Sequence, residues 1–132
     1  IRFGDFTTKS GRKTPYFVNT GDFKTGQQMS TLSSWYAQVM QERFATATNL
    51  YGPAYKGIPL VAGVSSAIWN DFKVDLTYTF NRKEAKDHGE GGLLVGDAYP
   101  ENQEVVVIED VITAGTSLKE TLELLKSFQD HL

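Results

Sequence analysis

The 132-residue sequence contains no cysteine, which excludes disulfide bonds and thiolate metal sites. The absence fits a reducing compartment, and we expect a cytoplasmic location. No apolar run approaches the roughly 20 residues of a membrane-spanning helix. The net charge of −3 argues against a broad surface for nucleic acid or membrane. A chain of 132 residues forms a single domain at most, and it is long enough to bury one hydrophobic core.

Both ends of the sequence suggest that something is missing. It begins with Ile1 rather than methionine and ends at Leu132 in an amphipathic segment. A helix with an apolar face normally covers a sheet and leads on to another strand. We therefore expect a fragment that lacks both termini. The apolar face has positions spaced by three or four residues: Leu118, Leu122, Leu125, Phe128 and Leu132.

The most informative stretch runs from Val105 to Ser117. It opens with four β-branched residues, a pattern typical of a strand buried on both faces of a parallel sheet. Glu109 and Asp110 follow at the expected C-terminal end of that strand, and then come a turn of small residues and an amphipathic segment. This order builds an anion site, because loop amides and the positive end of the helix dipole converge. Three hydroxyl groups can add donors: those of Thr113, Thr116 and Ser117.

The two adjacent acids narrow the class of ligand. A bare phosphate would be repelled by them, whereas the hydroxyls of a phosphorylated sugar can donate to them. A metal ion carried by the ligand would also suit this position. The stretch is not a nucleotide P-loop, because no lysine stands before Thr116 or Ser117. On pattern alone, an ordinary strand–helix unit with an exposed acidic turn stays open as the alternative.

A second strand, loop and helix are predicted in the middle of the chain. Residues 49–51 indicate a short strand, and residues 52–57 indicate a tight loop that carries Lys56. Pro59 suits the start of a helix, and the apolar residues 58–69 favour a helix buried between layers. A loop lysine is more often simply solvated, so Lys56 alone is weak support for a site.

Near the N-terminus, short aromatic runs around a Ser-Gly turn predict a pair of short strands forming a flap. A basic turn beside an aromatic side chain can hold a flat anionic ring. A solvated turn with core aromatics is the more common outcome. The next segment is predicted to be a scaffold helix, since Thr25 and Gln28 form a capping box. Its apolar stripe comprises Met29, Leu32, Tyr36, Val39 and Met40.

A strongly charged segment, residues 81–92, follows the alternating strand pattern of residues 74–80. Arg82, Lys83 and Lys86 are interleaved with acidic residues. Such interleaving usually marks a solvated hairpin tip. A mobile lid with glycine hinges would instead bring these cations over a polyanion. The residues themselves leave both interpretations open.

The stretch from Val105 to Ser117 resembles the phosphoribosyl pyrophosphate (PRPP) motif of the type I phosphoribosyltransferases: apolar strand, two acids, two residues, Thr-x-Gly-Thr. Three further segments are similar to the orotate phosphoribosyltransferases of that family: residues 3–17, 52–59 and 82–91. The resemblance implies an α/β fold with a mainly parallel sheet flanked by helices and a small N-terminal β flap. We expect residues 1–24 to form the flap and residues 25–132 the PRPP-binding core, truncated at its C-terminus.

The implied activity is transfer of ribose 5-phosphate from PRPP to orotate in pyrimidine (UMP) biosynthesis, giving orotidine 5′-monophosphate and pyrophosphate. The resemblance also implies Mg²⁺, carried by PRPP near Glu109 and Asp110 rather than held directly by the protein. It implies a homodimer in which the 82–92 loop is shared between subunits, with no nucleic acid or membrane partner. An enzyme acting on another base and a non-catalytic PRPP-binding regulatory domain stay open as alternatives.

The resemblance further assigns roles to individual residues. Those implied to bind PRPP are Lys9, Tyr55, Lys56, Arg82, Lys83, Lys86, His88, Glu109, Asp110, Val111, Ile112, Thr113, Ala114, Gly115, Thr116 and Ser117. Those implied to bind orotate are Lys9, Phe17, Val18 and Thr113, although Val18 stands where the family often has a second aromatic. The implied catalytic residues are Lys86, His88 and Asp110. A strained or cis peptide is implied at Ala54–Tyr55.

One family residue has no counterpart here. The arginine that pairs with the orotate carboxylate in the family matches no position of this sequence. The resemblance therefore supports PRPP binding more fully than base binding.

Overall fold

The computed structural model of the chain describes residues 2–7, 11, 13–17, 23–84, 93–97, 103–110 and 115–129. At the N-terminus, β1 (Arg2–Thr7) and β2 (Lys13–Phe17) pair antiparallel. They form a two-stranded sheet of their own. The predicted pair of short strands is therefore confirmed, while their role as a flap over a site stays a prediction.

A four-stranded sheet forms the centre of the fold. Its strands are β3 (Asn49–Gly52), β4 (Thr77–Asn81), β5 (Leu94–Gly96) and β6 (Val105–Val107), in the spatial order β5-β4-β3-β6. β3 runs parallel to both β4 and β6, and only β5 is antiparallel. The predicted mainly parallel sheet flanked by helices is thus confirmed. The helices are α1 (Gly26–Arg43), α2 (Gly57–Phe72) and α3 (Thr116–Gln129).

Helix α1 begins at the capping box that the sequence predicts. The Gln28 N–H donates to Thr25 Oγ1 at 3.1 Å, and the Thr25 N–H donates to Gln28 Oε1 at 3.2 Å. These bonds satisfy two N–H groups that have no partner within the helix. The predicted apolar stripe is only partly buried, because Met40 is enclosed whereas Val39 is 47% exposed.

The hydrophobic core lies where α1, α2 and the sheet meet. Its buried members include Ala37, Met40, Leu50, Leu60, Val61, Val64, Ile68 and Ile108. Helix α2 contributes half of them, in keeping with its apolar sequence. The prediction of burial all round was wrong for its outer side, where Trp69 is 48% exposed. The helix ends at Phe72, and the capping residue Lys73 that follows has a left-handed φ of 57°.

Strand β6 lies at one edge of the four-stranded sheet, opposite β5. Its three valines are half-buried, so the expected burial on both faces is reached only at Ile108, which is 4% exposed. The Ile108 N–H donates to the Tyr51 carbonyl at 2.8 Å. The next rung would need an N–H on Pro53, which proline lacks. The ladder therefore stops there, and Glu109 and Asp110 lie beyond it.

Helix α3 begins directly after the PRPP-like motif. Thr121 is buried, whereas Leu122, on the predicted apolar face, is 46% exposed. The side chain of Phe128 and the whole of Leu132 fall outside the described residues. Across the described residues, no helix has the length and apolar character that crossing a membrane would require.

Candidate functional site

The candidate site lies at one edge of the main sheet. Since β3, β4 and β6 are parallel, their C-terminal ends meet at this edge. The loop of residues 53–56 follows β3, the charged segment follows β4, and the acidic pair follows β6. Ligands of α/β proteins commonly bind at such an edge.

The loop after β3 turns very tightly into α2. A Cβ atom on Gly52 would collide with the Gly57 carbonyl oxygen and the Val61 side chain, so the chain can pass this point only with glycine. The Gly57 N–H donates to the Pro53 carbonyl at 2.9 Å and closes the turn. The Ala54–Tyr55 peptide bond is cis, as the resemblance implies.

Asn81 connects this loop to the end of β4. Its Oδ1 accepts a hydrogen bond of 2.8 Å from the Ala54 N–H, which precedes the cis bond. Sequence reasoning missed this role, since Asn81 served there only as the start of the charged segment. The one signal in the sequence was a polar amide at the end of a predicted strand, which is too common to single it out.

Cations gather beside the same loop. The Lys83 Nζ lies 5.2 Å from the centre of the Tyr55 ring, within the range of a cation–π contact. Tyr55 is 68% exposed and Lys56, next in the chain, is also exposed. The backbone N–H of Arg82 donates to the Leu93 carbonyl at 2.6 Å, next to the antiparallel pairing of β4 with β5. Tyr55, Lys56 and the base of the charged loop are thus neighbours.

The acidic pair is turned towards the protein rather than into open solvent. Glu109 and Asp110 are both half-buried. Glu109 Oε2 accepts a hydrogen bond of 3.0 Å from the Ser117 hydroxyl. Burial raises the pKa of Glu109 above its ordinary value, and a hydrogen bond with the Asp110 side chain raises it further, against smaller lowering by Ser117 and the Asp110 N–H. The two carboxyl groups therefore form an adjacent pair at the end of β6.

Tyr36 of α1 reaches the same place. Its hydroxyl donates to the backbone carbonyl oxygen of Glu109 at 3.1 Å. Burial raises the pKa of Tyr36, and the nearby charges of Asp110 and Glu109 raise it further. The sequence placed Tyr36 in the apolar stripe of a scaffold helix. Because Tyr36 and Glu109 are 73 positions apart in the sequence, no local pattern could have indicated the contact.

Helix α3 begins at Thr116, directly after Gly115. Gly115 has a φ of +76°, a left-handed conformation that side-chain-bearing residues rarely adopt. Its carbonyl accepts the Lys119 N–H at 2.9 Å as α3 begins. Thr116 is exposed and Ser117 is half-buried. The free N–H groups of this first turn and the helix dipole suit an anion.

Part of the predicted site lies outside the described residues: Lys9, Val18, Lys86, His88, Val111, Ile112, Thr113 and Ala114. Phe17 ends β2, and its side chain is likewise outside the description. Within the described part of the chain, no group of three or more His, Cys, Asp or Glu residues is arranged to hold a metal ion.

Comparison with known proteins matches residues 27–129 to the phosphoribosyl transferase domain. The chain is 51% identical over 131 residues to the orotate phosphoribosyltransferase of Clostridium beijerinckii, covering 98% of this chain and 58% of that protein. It is 52% identical over 126 residues to the orotate phosphoribosyltransferase of Methylococcus capsulatus, covering 96% of this chain and 58% of that protein. The chain therefore spans somewhat more than half of these curated relatives.

A solved structure agrees with the sequence matches. The crystal structure of the orotate phosphoribosyltransferase of Francisella tularensis superimposes with a TM-score of 0.75 and 44% identity. That match covers 96% of this chain and 57% of the other.

Proposed function

The chain belongs to the phosphoribosyl transferase domain family, and on this premise we propose that its protein is an orotate phosphoribosyltransferase. The reaction is transfer of ribose 5-phosphate from PRPP to N1 of orotate, with release of pyrophosphate. The observation that carries the proposal is the meeting, at one sheet edge, of the tight loop that contains Lys56 with the half-buried acidic pair that precedes α3. Identity of about half to relatives named for this activity supports it.

PRPP fits this edge by charge and hydrogen bonding. The 5-phosphate would bind at residues 111–117, where the start of α3 supplies N–H groups. The ribose hydroxyls would donate to Glu109 and Asp110. The pyrophosphate would meet the cations near the tight loop, namely Lys56, Arg82, Lys83, Lys86 and His88, together with Tyr55.

In this reaction the role of the protein would be to neutralise charge on the leaving group, and no protein nucleophile is needed. As the bond from C1 to pyrophosphate breaks, C1 becomes oxocarbenium-like and negative charge grows on the leaving group. Lys56, Lys83, Lys86 and His88 would share that charge, and Asp110 would hold the ribose. A closed 82–92 loop would exclude water, which otherwise hydrolyses the activated sugar.

The acidic pair also suits the Mg²⁺ that PRPP would carry. Half-buried Glu109 and Asp110 place negative charge at this point, so a Mg²⁺ ion carried by PRPP, rather than held directly by the protein, would lie near them. The bound ion would supply further neutralisation of the pyrophosphate.

The remaining assignments belong to the same proposal. Orotate would lie against Lys9, Phe17, Val18 and Thr113, beneath the flap of residues 1–24. Two copies would pair so that the 82–92 loop of one reaches the site of the other. A cytoplasmic location goes with these substrates, because highly charged small metabolites do not cross membranes unaided.

The test is orotate-dependent release of pyrophosphate in the presence of Mg²⁺, measured on the protein with its full natural sequence. We expect release with orotate and none without a base. Competition with adenine, guanine and uracil distinguishes an enzyme for another base. Tight PRPP binding without any release would instead favour the non-catalytic regulatory domain. A protein that neither binds PRPP nor releases pyrophosphate would contradict the proposal outright.

A further inference from the structure

The contact between Tyr36 and Glu109 acts on the peptide unit rather than on a side chain. The Tyr36 hydroxyl donates a hydrogen bond of 3.1 Å to the Glu109 carbonyl oxygen. That oxygen belongs to the planar peptide that joins Glu109 to Asp110. Holding the oxygen restricts rotation of the plane, and with it the direction in which the Asp110 side chain leaves the backbone.

The backbone at this point has lost the support of the sheet. The Ile108 N–H makes the last β3–β6 bond of the described ladder, and Pro53 offers no N–H for another rung. Backbone groups that leave a sheet need another partner when they are half-buried. The rung that Pro53 cannot make would have used the Ile108 carbonyl, so the ladder ends one residue before Glu109. The Tyr36 hydroxyl donates to the Glu109 carbonyl beyond that end, and the Ser117 hydroxyl donates to the Glu109 carboxylate.

We infer that Tyr36 is a positioning residue of the PRPP site, whose hydroxyl orients the Glu109–Asp110 peptide so that the Asp110 carboxylate meets the ribose hydroxyls. This inference rests on the proposed function. Tyr36 packs against the hydrophobic core, which keeps its ring in place. Its pKa is raised by burial and by the neighbouring carboxylates, so the hydroxyl keeps its proton and can donate at neutral pH.

The experiment compares Tyr36→Phe with Tyr78→Phe in the protein with its full natural sequence. Both changes remove one phenolic hydroxyl. Tyr78 lies on β4 at 39% exposure, and the described residues show no hydrogen bond to its hydroxyl. For Tyr36→Phe we expect the KM and the Kd for PRPP to rise about 5-fold, the size expected for one lost hydrogen bond. The KM for orotate should stay within about 2-fold, since loss of a positioning bond acts on the ribose end.

If Tyr36 only stabilised the fold, Tyr36→Phe would not weaken PRPP binding while leaving the KM for orotate nearly unchanged. If Tyr36→Phe leaves PRPP affinity unchanged, raises both KM values equally, or matches Tyr78→Phe, the inference is overturned. A wild-type protein that binds PRPP but releases no pyrophosphate overturns the proposed function alone, and the PRPP Kd of the two variants then still decides the role of Tyr36. A wild-type protein that does not bind PRPP overturns both.

Discussion

Ser117 on the first turn of α3 donates a 3.0 Å hydrogen bond to the carboxylate of Glu109 at the end of β6. The bond connects Glu109, which precedes the loop where we propose that the 5-phosphate binds, with the helix turn that follows that loop. It also gives the Ser117 hydroxyl a partner within the protein. We therefore treat Ser117 first as a support of Glu109, with its backbone N–H left for the ligand.

The first prediction concerns this bond. Ser117→Ala should lower the free energy of unfolding by about 1 kcal/mol, because a half-buried carboxylate loses a donor. Thermal or urea unfolding measures the change. Ser127→Ala is the matched control, since Ser127 is an exposed serine of the same helix whose hydroxyl donates to the nearby Leu124 carbonyl. Equal effects of the two substitutions would contradict a special role for Ser117.

The second prediction concerns pH. The pKa of Glu109 is raised in the folded protein above its ordinary value of 4.5, so folding favours the protonated carboxyl. The ionised form therefore costs stability above the folded pKa, and that cost disappears as the pH falls below the ordinary value. Glu109→Gln keeps an acceptor for Ser117 and removes the charge. It should raise Tm by about 2 °C at pH 8.

The measurement is a series of melting curves from pH 8 to pH 4. The advantage of Glu109→Gln over wild type should shrink as the pH falls, and PRPP affinity should be weaker in the variant throughout. Glu123→Gln, an exposed position on α3, controls for the loss of one negative charge. A Tm difference that is constant with pH would show that the carboxyl is not the cause.

A third prediction follows from the bond between Asn81 and the tight loop. Asn81→Ala leaves the half-buried Ala54 N–H without its 2.8 Å acceptor and should destabilise the fold by about 1 to 2 kcal/mol. Asn81→Asp retains an oxygen acceptor and should recover most of that loss in chemical denaturation. If Asp recovers none of it, the hydrogen bond is not what Asn81 contributes.

The fourth prediction concerns Lys86, which lies outside the described residues. If the charged loop closes over pyrophosphate, Lys86→Ala should reduce kcat about 100-fold, comparable to removal of one group that stabilises charge in a transition state. The melting temperature of the Lys86→Ala variant should hardly differ from that of the wild type. Lys126→Ala, an exposed lysine near the end of α3, serves as the comparison. An unaltered turnover in Lys86→Ala would remove that lysine from the mechanism.

Patterns among neighbouring residues were enough to predict the features that form locally. Each of these features involves only a few consecutive residues: the capping box of Thr25 and Gln28, the strand followed by Glu109 and Asp110, and the glycine turn into α3. Periodicity and turn chemistry act over that range, so the α/β class and the order of its motifs could be predicted.

Contacts between residues far apart in the sequence depend on how the strands and helices pack. Register and helix packing bring Tyr36 to Glu109 across 73 residues and Asn81 to Ala54 across 27. The outer side of α2, predicted to be buried, is exposed at Trp69 because the sheet and α1 cover only part of that helix. Such contacts depend on how whole elements pack together, and no short stretch of sequence carries that information.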